Sequence, residues 1–320
     1  MNILVTGGTG FLGARVARRL LTDGHRVTLL GRNFSNVQPL LASGAIPLQI
    51  DLANASAVSA AFAGMDAVCH AGALSAPWGK RADFFSANVN GTRAVVEGCR
   101  AHGVQRLVYI SSPSVVFSGR DVIQADESAP YPPRFTSTYA LTKKLGEDLV
   151  NAAPDVPAVI LRPKAIIGPG DGSLLPRLIA AARQGRLPQI GSGRNQVDLT
   201  YVDNVVSAIL LAFDSPAAVG RTYTITNGES VPLWQVIRQV LERLGLSTRL
   251  RTVSLPLALA AARLMEWRAA LTGSEPLLTR YSVLILARNQ TYDISAARRD
   301  LGYQPGVSIA AGIEHTLAAL

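Results

Sequence analysis

A tyrosine and a lysine one helical turn apart are the residues best suited to carry chemistry in this sequence. Tyr139 and Lys143 form a Y-x-x-x-K pattern, and residues i and i+4 of a helix project from the same face. A tyrosine with a pKa of about 10 is a poor acid–base catalyst at neutral pH. A neighbouring ammonium favours the phenolate and so brings the group toward working pH. The pattern therefore indicates proton transfer to or from one bound molecule.

A pair of serines adds hydroxyl groups to this chemistry. The apolar run Arg106–Ile110 is predicted to be a strand, and it leads into Ser111 and Ser112. In an open parallel sheet, the carboxyl ends of the strands border the ligand crevice. We therefore expect Ser112 to donate a hydrogen bond to a substrate oxygen while Tyr139 delivers the proton.

Three glycines near the amino terminus indicate a dinucleotide site. Gly7, Gly10 and Gly13 follow an apolar run at 3–6 with the spacing G-x-x-G-x-x-G and lead into a predicted helix. Gly7 permits a tight turn, Gly10 lets the backbone approach a pyrophosphate, and Gly13 lets helix and strand pack closely. The amino terminus of the helix then faces the anion.

The residue after the second predicted strand distinguishes the two nicotinamide dinucleotides. An acid there usually holds the ribose 2′-hydroxyl of NAD, whereas an arginine suits the 2′-phosphate of NADP. The strand at 27–30 runs into Gly31 and Arg32 with no carboxylate in that segment, and a guanidinium pairs bidentately with phosphate. We predict NADP(H) in preference to NAD(H), with Asp51 and Leu52 at the adenine edge.

Alternating apolar runs and amphipathic helices predict the elements that hold these residues. The helix at 10–23 repeats Leu12, Val16 and Leu20 on one face. Strands are predicted at 3–6, 27–30, 46–50, 67–70, 106–111 and 158–162. This rhythm predicts an α/β fold, a Rossmann-type doubly wound parallel sheet with a smaller C-terminal substrate-binding lobe. We assign 1–165 to the dinucleotide-binding domain and 166–320 mainly to the substrate-binding lobe, which holds a strand at 221–226, with some later segments returning to the first domain.

Composition limits the alternatives. A chain of 320 residues, 48% of them hydrophobic, is long enough for one large α/β core. The net charge is +9, but the arginines are scattered and no nucleic-acid module is recognisable, so we expect no nucleic-acid partner. Cys69 and Cys99 lack partners at metal-ligand spacing, and the four histidines are dispersed. We therefore expect no metal, no disulfide and a cytoplasmic location.

Two stretches near the carboxyl terminus, 255–271 and 276–287, are conspicuously apolar. Arginines and a glutamate interrupt them before they reach the length of about 20 apolar residues that a membrane span needs. We interpret them first as core or pocket-lid helices and second as interfacial anchors, which allows peripheral membrane contact. Trp234 and Trp267 are predicted to be packing residues. A homodimer is compatible with the sequence.

Together these motifs resemble the extended short-chain dehydrogenase/reductase family over essentially the whole chain. The resemblance rests on T-G-x-x-G-x-x-G at 6–13, D-L at 51–52, H-A-G-A at 70–73, N-V-N-G-T at 88–92, S-S at 111–112, Y-x-x-x-K at 139–143, L-R-P at 161–163, G-P-G-D at 168–171 and Y-V-D-N at 201–204. It implies an NAD(P)-dependent enzyme acting on CH–OH groups, with Ser112, Tyr139 and Lys143 as the catalytic set, supported by Asn88, and with Pro163 beside the nicotinamide. The positions that we assign to the dinucleotide are Gly7, Thr9, Gly10, Phe11, Leu12, Gly13, Arg32, Asp51, Leu52, Ala71, Gly72, Ala73, Ser111, Tyr139, Lys143, Pro163 and Ile166.

Within that family, the segments at 109–116 and 296–305 are most similar to the 3β-hydroxysteroid dehydrogenase branch, and those at 184–187 and 275–280 to bacterial 2-alkyl-3-oxoalkanoate reductases. The resemblance implies interconversion of a ketone and an alcohol on a bulky hydrophobic substrate. The residues expected to contact it are Leu74, Trp78, Ser112, Pro113, Val115, Lys164 and Leu174.

Two alternatives stay open at this point. A sugar-nucleotide epimerase or dehydratase shares the cofactor residues, although Ala165 stands where such enzymes commonly carry an asparagine, and Lys164 or Arg177 can meet an anion. A catalytically silent NADP(H) sensor typically lacks the tyrosine or the lysine, and both are present here.

Overall fold

The computed structural model describes residues 1–172 and 175–319, and the prediction for Leu174 lies outside them. The strands within the described residues are β1 (Asn2–Thr6), β2 (Arg26–Gly31), β3 (Ile46–Gln49), β4 (Ala67–His70), β5 (Arg106–Ile110), β6 (Val122–Ala125), β7 (Ala158–Pro163), β8 (Ile166–Ile167), β9 (Gln189–Ile190), β10 (Gln196–Asp198), β11 (Thr200–Tyr201), β12 (Thr222–Ile225), β13 (Ser230–Pro232), β14 (Thr252–Val253) and β15 (Gln290–Tyr292). The α-helices are α1 (Phe11–Thr22), α2 (Gln38–Ala42), α3 (Ala55–Ala60), α4 (Arg81–Phe84), α5 (Gly91–Ala101), α6 (Thr138–Asn151), α7 (Leu175–Arg183), α8 (Val202–Asp214), α9 (Leu233–Arg243), α10 (Leu255–Thr272), α11 (Arg280–Ala287), α12 (Ser295–Leu301) and α13 (Ile309–Leu317).

Seven of these strands form the central sheet, in the order β12-β7-β5-β4-β1-β2-β3. Every pairing in it is parallel. From β1 the chain builds β2 and β3 on one side and then crosses to β4 on the other. That reversal is the switch point at whose carboxyl edge doubly wound sheets bind ligands. The predicted Rossmann-type fold is confirmed, and the six strands predicted for its first part each lie within one residue of those observed.

Helices cover both faces of the sheet, because its inner strands are apolar on both sides. On one face α1, α8 and α12 contribute Val16, Ile209 and Ala297 to a buried cluster with β1 and β2. On the other face α3 and α5 contribute Val58 and Val95. This arrangement explains why the strand residues read as nearly continuous apolar runs instead of alternating ones.

A four-stranded sheet with the order β13-β10-β15-β6 adjoins the carboxyl edge. It gathers segments from distant parts of the chain, since β6 belongs to the first half and β15 to the last thirty-one residues. Conversely, β12 from the second half completes the central sheet beside β7. The two halves of the sequence therefore interlock at the edge where the candidate site lies.

Two features of the helices bear on the predictions. The segment Phe85–Asn90 is a π-helical insert that joins α4 to α5, and such inserts are frequent at functional sites. Trp234 is fully buried, as predicted, whereas the prediction for Trp267 was wrong because its side chain is 64% exposed on α10. No helix within the described residues is both long and apolar enough to cross a membrane.

Candidate active site

The structure places Tyr139 and Lys143 on one face of α6, at the carboxyl edge of β4 and β5. Ser137 caps the helix, and its Oγ accepts a hydrogen bond from the Ala140 amide at 3.1 Å. Lys143 is buried, and its Nζ lies 4.1 Å from the centre of the Tyr109 ring. The ammonium is thus held in place by a cation–π contact with a side chain of β5.

Burial changes the protonation of both groups. It raises the pKa of Tyr139, and hydrogen bonds with the Ser75 and Ser112 hydroxyls oppose that change. Burial lowers the pKa of Lys143 to about 7, against the attraction of the Glu147 carboxylate. A phenol that keeps its proton and an amine that titrates near neutrality are suited to proton exchange at physiological pH.

The hydroxyls next to Tyr139 come from two neighbouring strands. Ser112 follows β5, where its Oγ also accepts a hydrogen bond from the Ser114 amide at 3.2 Å. Ser75 was missed by sequence reasoning, because it lies five residues after the end of β4, whereas Ser112 lies two residues after the end of β5. An oxygen atom of a ligand bound to Tyr139 is therefore within reach of two further donors.

Asn88 holds the parts of this site together. Its Oδ1 accepts from the Leu74 amide at 2.7 Å, and its Nδ2 donates to the Leu74 carbonyl at 3.1 Å and to the Thr142 hydroxyl at 3.0 Å. The residue is 1% exposed. It therefore fixes the segment that carries Ser75 against the helix that carries Tyr139.

Glu147, one turn beyond Lys143, is a second buried anchor that sequence reasoning missed. It accepts hydrogen bonds from Ser111 Oγ at 2.5 Å and Tyr131 Oη at 2.7 Å. Arg162 donates to it twice, from Nε at 2.8 Å and Nη2 at 2.7 Å. The hydroxyl of Ser111, predicted to contact the dinucleotide, thus points to Glu147. The signal available in the sequence was the continuation of the i, i+4 spacing from Tyr139 through Lys143.

The glycine turn has the form expected of a phosphate cradle. Gly7 has φ of +65°, and a Cβ there would lie 2.6 Å from the Cα of Gly72, just after β4. A Cβ at Gly13 would lie 2.2 Å from the Gly7 carbonyl oxygen. Gly10 brings no side chain to the start of α1, so the first amides of that helix have no side-chain cap. A dinucleotide pyrophosphate fits this turn because it supplies the acceptors that those amides need.

The remaining positions assigned to the dinucleotide lie in several different elements. Ala71 and Ala73 flank Gly72, and Leu52 packs against that glycine. Thr9 accepts a hydrogen bond through its carbonyl from Asn36, Phe11 and Leu12 open α1, Pro163 ends β7, and Ile166 lies in β8.

Arg32 has a neighbour that the sequence did not reveal. Its Nη1 lies 3.9 Å from Asp51 Oδ2, with the two side chains 78% and 52% exposed. The segment that leads into Arg32 holds no carboxylate, but β3 runs beside β2 and brings Asp51 to the same edge. Such an exposed pair contributes little stability, so a phosphate dianion can compete for the guanidinium.

A cavity of about 270 Å³ opens beside Tyr139. Its walls are Ala76, Pro77, Trp78, Gly79, Phe84, Thr136, Ser137, Thr138, Tyr139, Glu266, Thr279, Arg280 and Tyr281. Of the residues predicted to contact the substrate, the structure brings Trp78 into this wall. Among the described residues, Leu74, Ser112, Pro113 and Val115 do not line this cavity, and the last two are buried.

Lys164 also lies away from the cavity wall. It is 8% exposed, and its Nζ donates to Gln290 Oε1 at 2.6 Å. Burial lowers its pKa to about 8, and Asp198 opposes that shift.

Residues of α10 and α11 complete the cavity wall. Glu266 and Arg280 form an ion pair at 2.7 Å and, with Tyr281, bring α10 and α11 to the cavity. No local pattern links them to Tyr139, which lies more than a hundred residues earlier.

His70 is structural, since it bridges Thr6 at 2.6 Å and Thr92 at 3.0 Å, and burial lowers its pKa to about 3. Within the described residues, no group of three or more His, Cys, Asp or Glu side chains is placed to hold a metal.

A glycine turn at the switch point of the sheet, together with a tyrosine–lysine pair on α6, is typical of the NAD(P)-dependent short-chain dehydrogenase/reductases that act on CH–OH groups. Comparison with known proteins gives the family. The model of the 3-beta hydroxysteroid dehydrogenase/isomerase family matches residues 4–257, and the chain belongs to that family.

Relatives span the whole chain. This chain is 42% identical to a 2-alkyl-3-oxoalkanoate reductase of Stenotrophomonas maltophilia, in an alignment that covers 100% of this chain and 99% of the relative. It is 34% identical to the decarboxylating sterol-4-alpha-carboxylate 3-dehydrogenase of Saccharomyces cerevisiae, covering 99% and 97%. A dTDP-glucose 4,6-dehydratase from Streptomyces venezuelae, solved with NAD, superposes with a TM-score of 0.81 at 24% identity, covering 100% and 96%. This last likeness shows the shared fold.

Proposed function

We propose that this protein uses NADP(H) to interconvert a ketone and a secondary alcohol on a bulky hydrophobic substrate, either 3β-hydroxysteroid-like or 2-alkyl-3-oxoalkanoate-like. The observation that carries the proposal is the half-buried Tyr139 phenol, which lines a cavity and is hydrogen-bonded by Ser75 and Ser112. In this proposal residues 1–165 mainly hold the dinucleotide and residues 166–320 mainly the substrate.

The proposed steps follow from the site. The substrate carbonyl oxygen accepts hydrogen bonds from the hydroxyls of Tyr139, Ser75 and Ser112. These three donors stabilise the negative charge that develops on that oxygen during the reaction. When bound, the dinucleotide supplies or accepts the hydride. Tyr139 donates its proton to the alkoxide, and Lys143 holds positive charge near the phenolate that is left. During these steps the hydrogen bond between Asn88 and Thr142 keeps the π-helical insert fixed against α6.

The cavity supports a hydrophobic substrate. Its wall includes Pro77, Trp78 and Phe84, and its one acid, Glu266, is neutralised by Arg280. The other candidate cation for an anionic substrate, Lys164, is already bonded to Gln290. The names of the relatives, a reductase of 2-alkyl-3-oxoalkanoates and a sterol dehydrogenase, support the same substrate class. The same wall also carries the hydroxyl residues Thr136, Ser137, Thr138, Thr279 and Tyr281, which can bind the polar end of such a substrate.

Tyr139→Phe tests the reaction. We expect turnover to fall by about 10²- to 10⁴-fold, the usual contribution of a positioned acid, with NADPH affinity nearly unchanged. Tyr281→Phe is the matched control, because it removes a phenol from the same cavity but not the proposed acid. The substrate panel contains steroids, 2-alkyl-3-oxo acids and UDP-sugars. Full turnover by Tyr139→Phe, or turnover confined to UDP-sugars, contradicts the proposal.

Arg32→Ala tests the preference for NADP(H). A charge-assisted hydrogen bond is worth about 1.5–3 kcal/mol, so the Kd for NADPH should rise by roughly 10- to 150-fold and that for NADH should stay almost constant. Arg243→Ala is the control, since this exposed arginine pairs with Glu314 outside the positions assigned to the dinucleotide and its loss should leave NADPH binding unchanged. Equal losses for both dinucleotides refute the assignment of Arg32.

A further inference from the structure

Helix α10 exposes an apolar face to solvent. Leu257, Leu264, Trp267 and Leu271 are each between 63% and 69% exposed. At about 100° per residue they fall within roughly 80° of the helix circumference, and from first to last they span roughly 21 Å. We call these four residues the α10 stripe. Contiguous exposed apolar side chains of this kind mark a surface that meets another phase or partner.

The opposite face of the helix already has a partner. Ala258, Ala262 and Ala269 are buried, and the first two belong to the cluster around Trp234. The α10 stripe is therefore not needed to attach the helix to the protein.

Arginines flank the stripe on both sides. Arg263 and Arg268 lie about 40° and 20° beyond its edges, both are exposed, and neither forms an ion pair with any residue in the described part of the chain. The sole acid of α10, Glu266, points away from the stripe and binds Arg280. The exposed half of α10 is thus apolar in the middle and positive at both margins.

This charge pattern distinguishes between two partners that could cover the α10 stripe, a second copy of the chain and a lipid bilayer. In a symmetric dimer the same surface packs on itself, so the positive margins of one copy would face those of the other. A bilayer that contains anionic lipids offers an apolar interior for the stripe and negative headgroups for both margins. Tryptophan is, in addition, enriched at the depth where headgroups meet acyl chains.

We propose that the α10 stripe docks this protein peripherally on an anionic lipid surface. Since Glu266 of α10 and Arg280 of α11 line the cavity beside Tyr139, docking holds a helix that contributes to the cavity wall against the lipid surface, with the cavity on its opposite side. The proposal concerns binding to lipid and holds whatever the substrate is.

The test is co-sedimentation of the full chain with vesicles of phosphatidylglycerol and, in parallel, of phosphatidylcholine. We expect sedimentation with phosphatidylglycerol, weaker sedimentation with phosphatidylcholine, and loss of the difference at high salt. Leu264→Ala/Trp267→Ala should weaken binding to phosphatidylglycerol by about 100-fold, since each change removes a large apolar side chain. Arg263→Gln/Arg268→Gln should weaken it by about tenfold or more and abolish the lipid preference.

Val219→Ala is the matched control. Val219 is 40% exposed and precedes β12, at the amino edge of the central sheet, so its truncation should leave sedimentation unchanged. A second measurement uses tryptophan emission: wild-type emission should shift to the blue with phosphatidylglycerol vesicles, and Trp267→Phe should remove that shift.

Three results overturn the proposal. The first is wild-type protein that stays in the supernatant with phosphatidylglycerol. The second is sedimentation that both stripe and arginine variants retain. The third is a dimer in sedimentation velocity that the stripe variant dissociates without any vesicle binding, which would make a second copy the occupant.

Discussion

The buried ion pair between Glu147 and Arg162 ties α6 to the central sheet, and its removal gives a quantitative test of how the site is held. Glu147 is fully buried and the Arg162 side chain is 5% exposed. Glu147→Gln keeps the shape of the side chain but leaves the guanidinium without a counter-charge. It also disturbs the hydrogen bonds from Ser111 and Tyr131.

The expected loss is large. Removing one member of a buried pair costs about 3–5 kcal/mol, because the remaining charge is uncompensated. With an unfolding entropy of about 2.1 cal/mol/K per residue, a chain of 320 residues loses roughly 4–7 °C in Tm. Thermal denaturation by circular dichroism measures this change directly.

An exposed pair of similar geometry is the control. Arg100 donates to Asp155 through Nε at 2.5 Å and Nη2 at 2.8 Å, with both side chains about half exposed. Asp155→Asn should barely change the Tm, because water and salt screen such a pair. A Tm for Glu147→Gln as high as that of Asp155→Asn would refute the reasoning. Glu147→Leu/Arg162→Met should recover stability relative to Glu147→Gln, since a well-packed apolar replacement is often neutral.

Three further predictions concern the same site. Burial lowers the pKa of Lys143 from 10.5 to about 7, so the unfolded chain binds more protons between these values and wild-type stability rises with pH across that window. Lys143→Met should be inactive but more stable than wild type near pH 7, by a margin in Tm that shrinks toward pH 10. Gly146→Ala places a Cβ 2.1 Å from Tyr109 Oη and should cost about 1–3 kcal/mol by chemical denaturation. Gly13→Ala places one 2.2 Å from the Gly7 carbonyl oxygen and should weaken NADPH binding in calorimetry.

Each of these has a clear counter-result. A stability margin for Lys143→Met that stays constant or grows with pH would show that the lysine is not penalised by burial. Gly306→Ala is the control for both glycine variants, because a Cβ there meets nothing within 4 Å. Glycine variants at 146 and 13 that behave like Gly306→Ala would contradict the packing described for them.

The sequence predicted the central sheet well because its strands are apolar and separated by regular helices. The Y-x-x-x-K spacing predicted the shared face of Tyr139 and Lys143, since helix geometry alone dictates it. Asp51 beside Arg32 depends on the pairing of β2 with β3, a tertiary fact without a local signal.

The cavity wall was harder to predict for the same reason. Tyr281 reaches Tyr139 only through the packing of α10 and α11 on the rest of the protein. Trp267 was misassigned because α10 is apolar all round, and composition does not tell which side of such a helix meets the protein.

The four-stranded sheet has a consequence for biosynthesis. Because β15 lies between β10 and β6, these two strands must wait for residues 290–292 to leave the ribosome before they gain that neighbour. The central sheet, by contrast, is complete once β12 has emerged. A nascent chain can thus assemble its central sheet early while two strand edges stay open to mispairing. Pauses in translation between residues 225 and 290 are then the interval in which chaperone protection matters most.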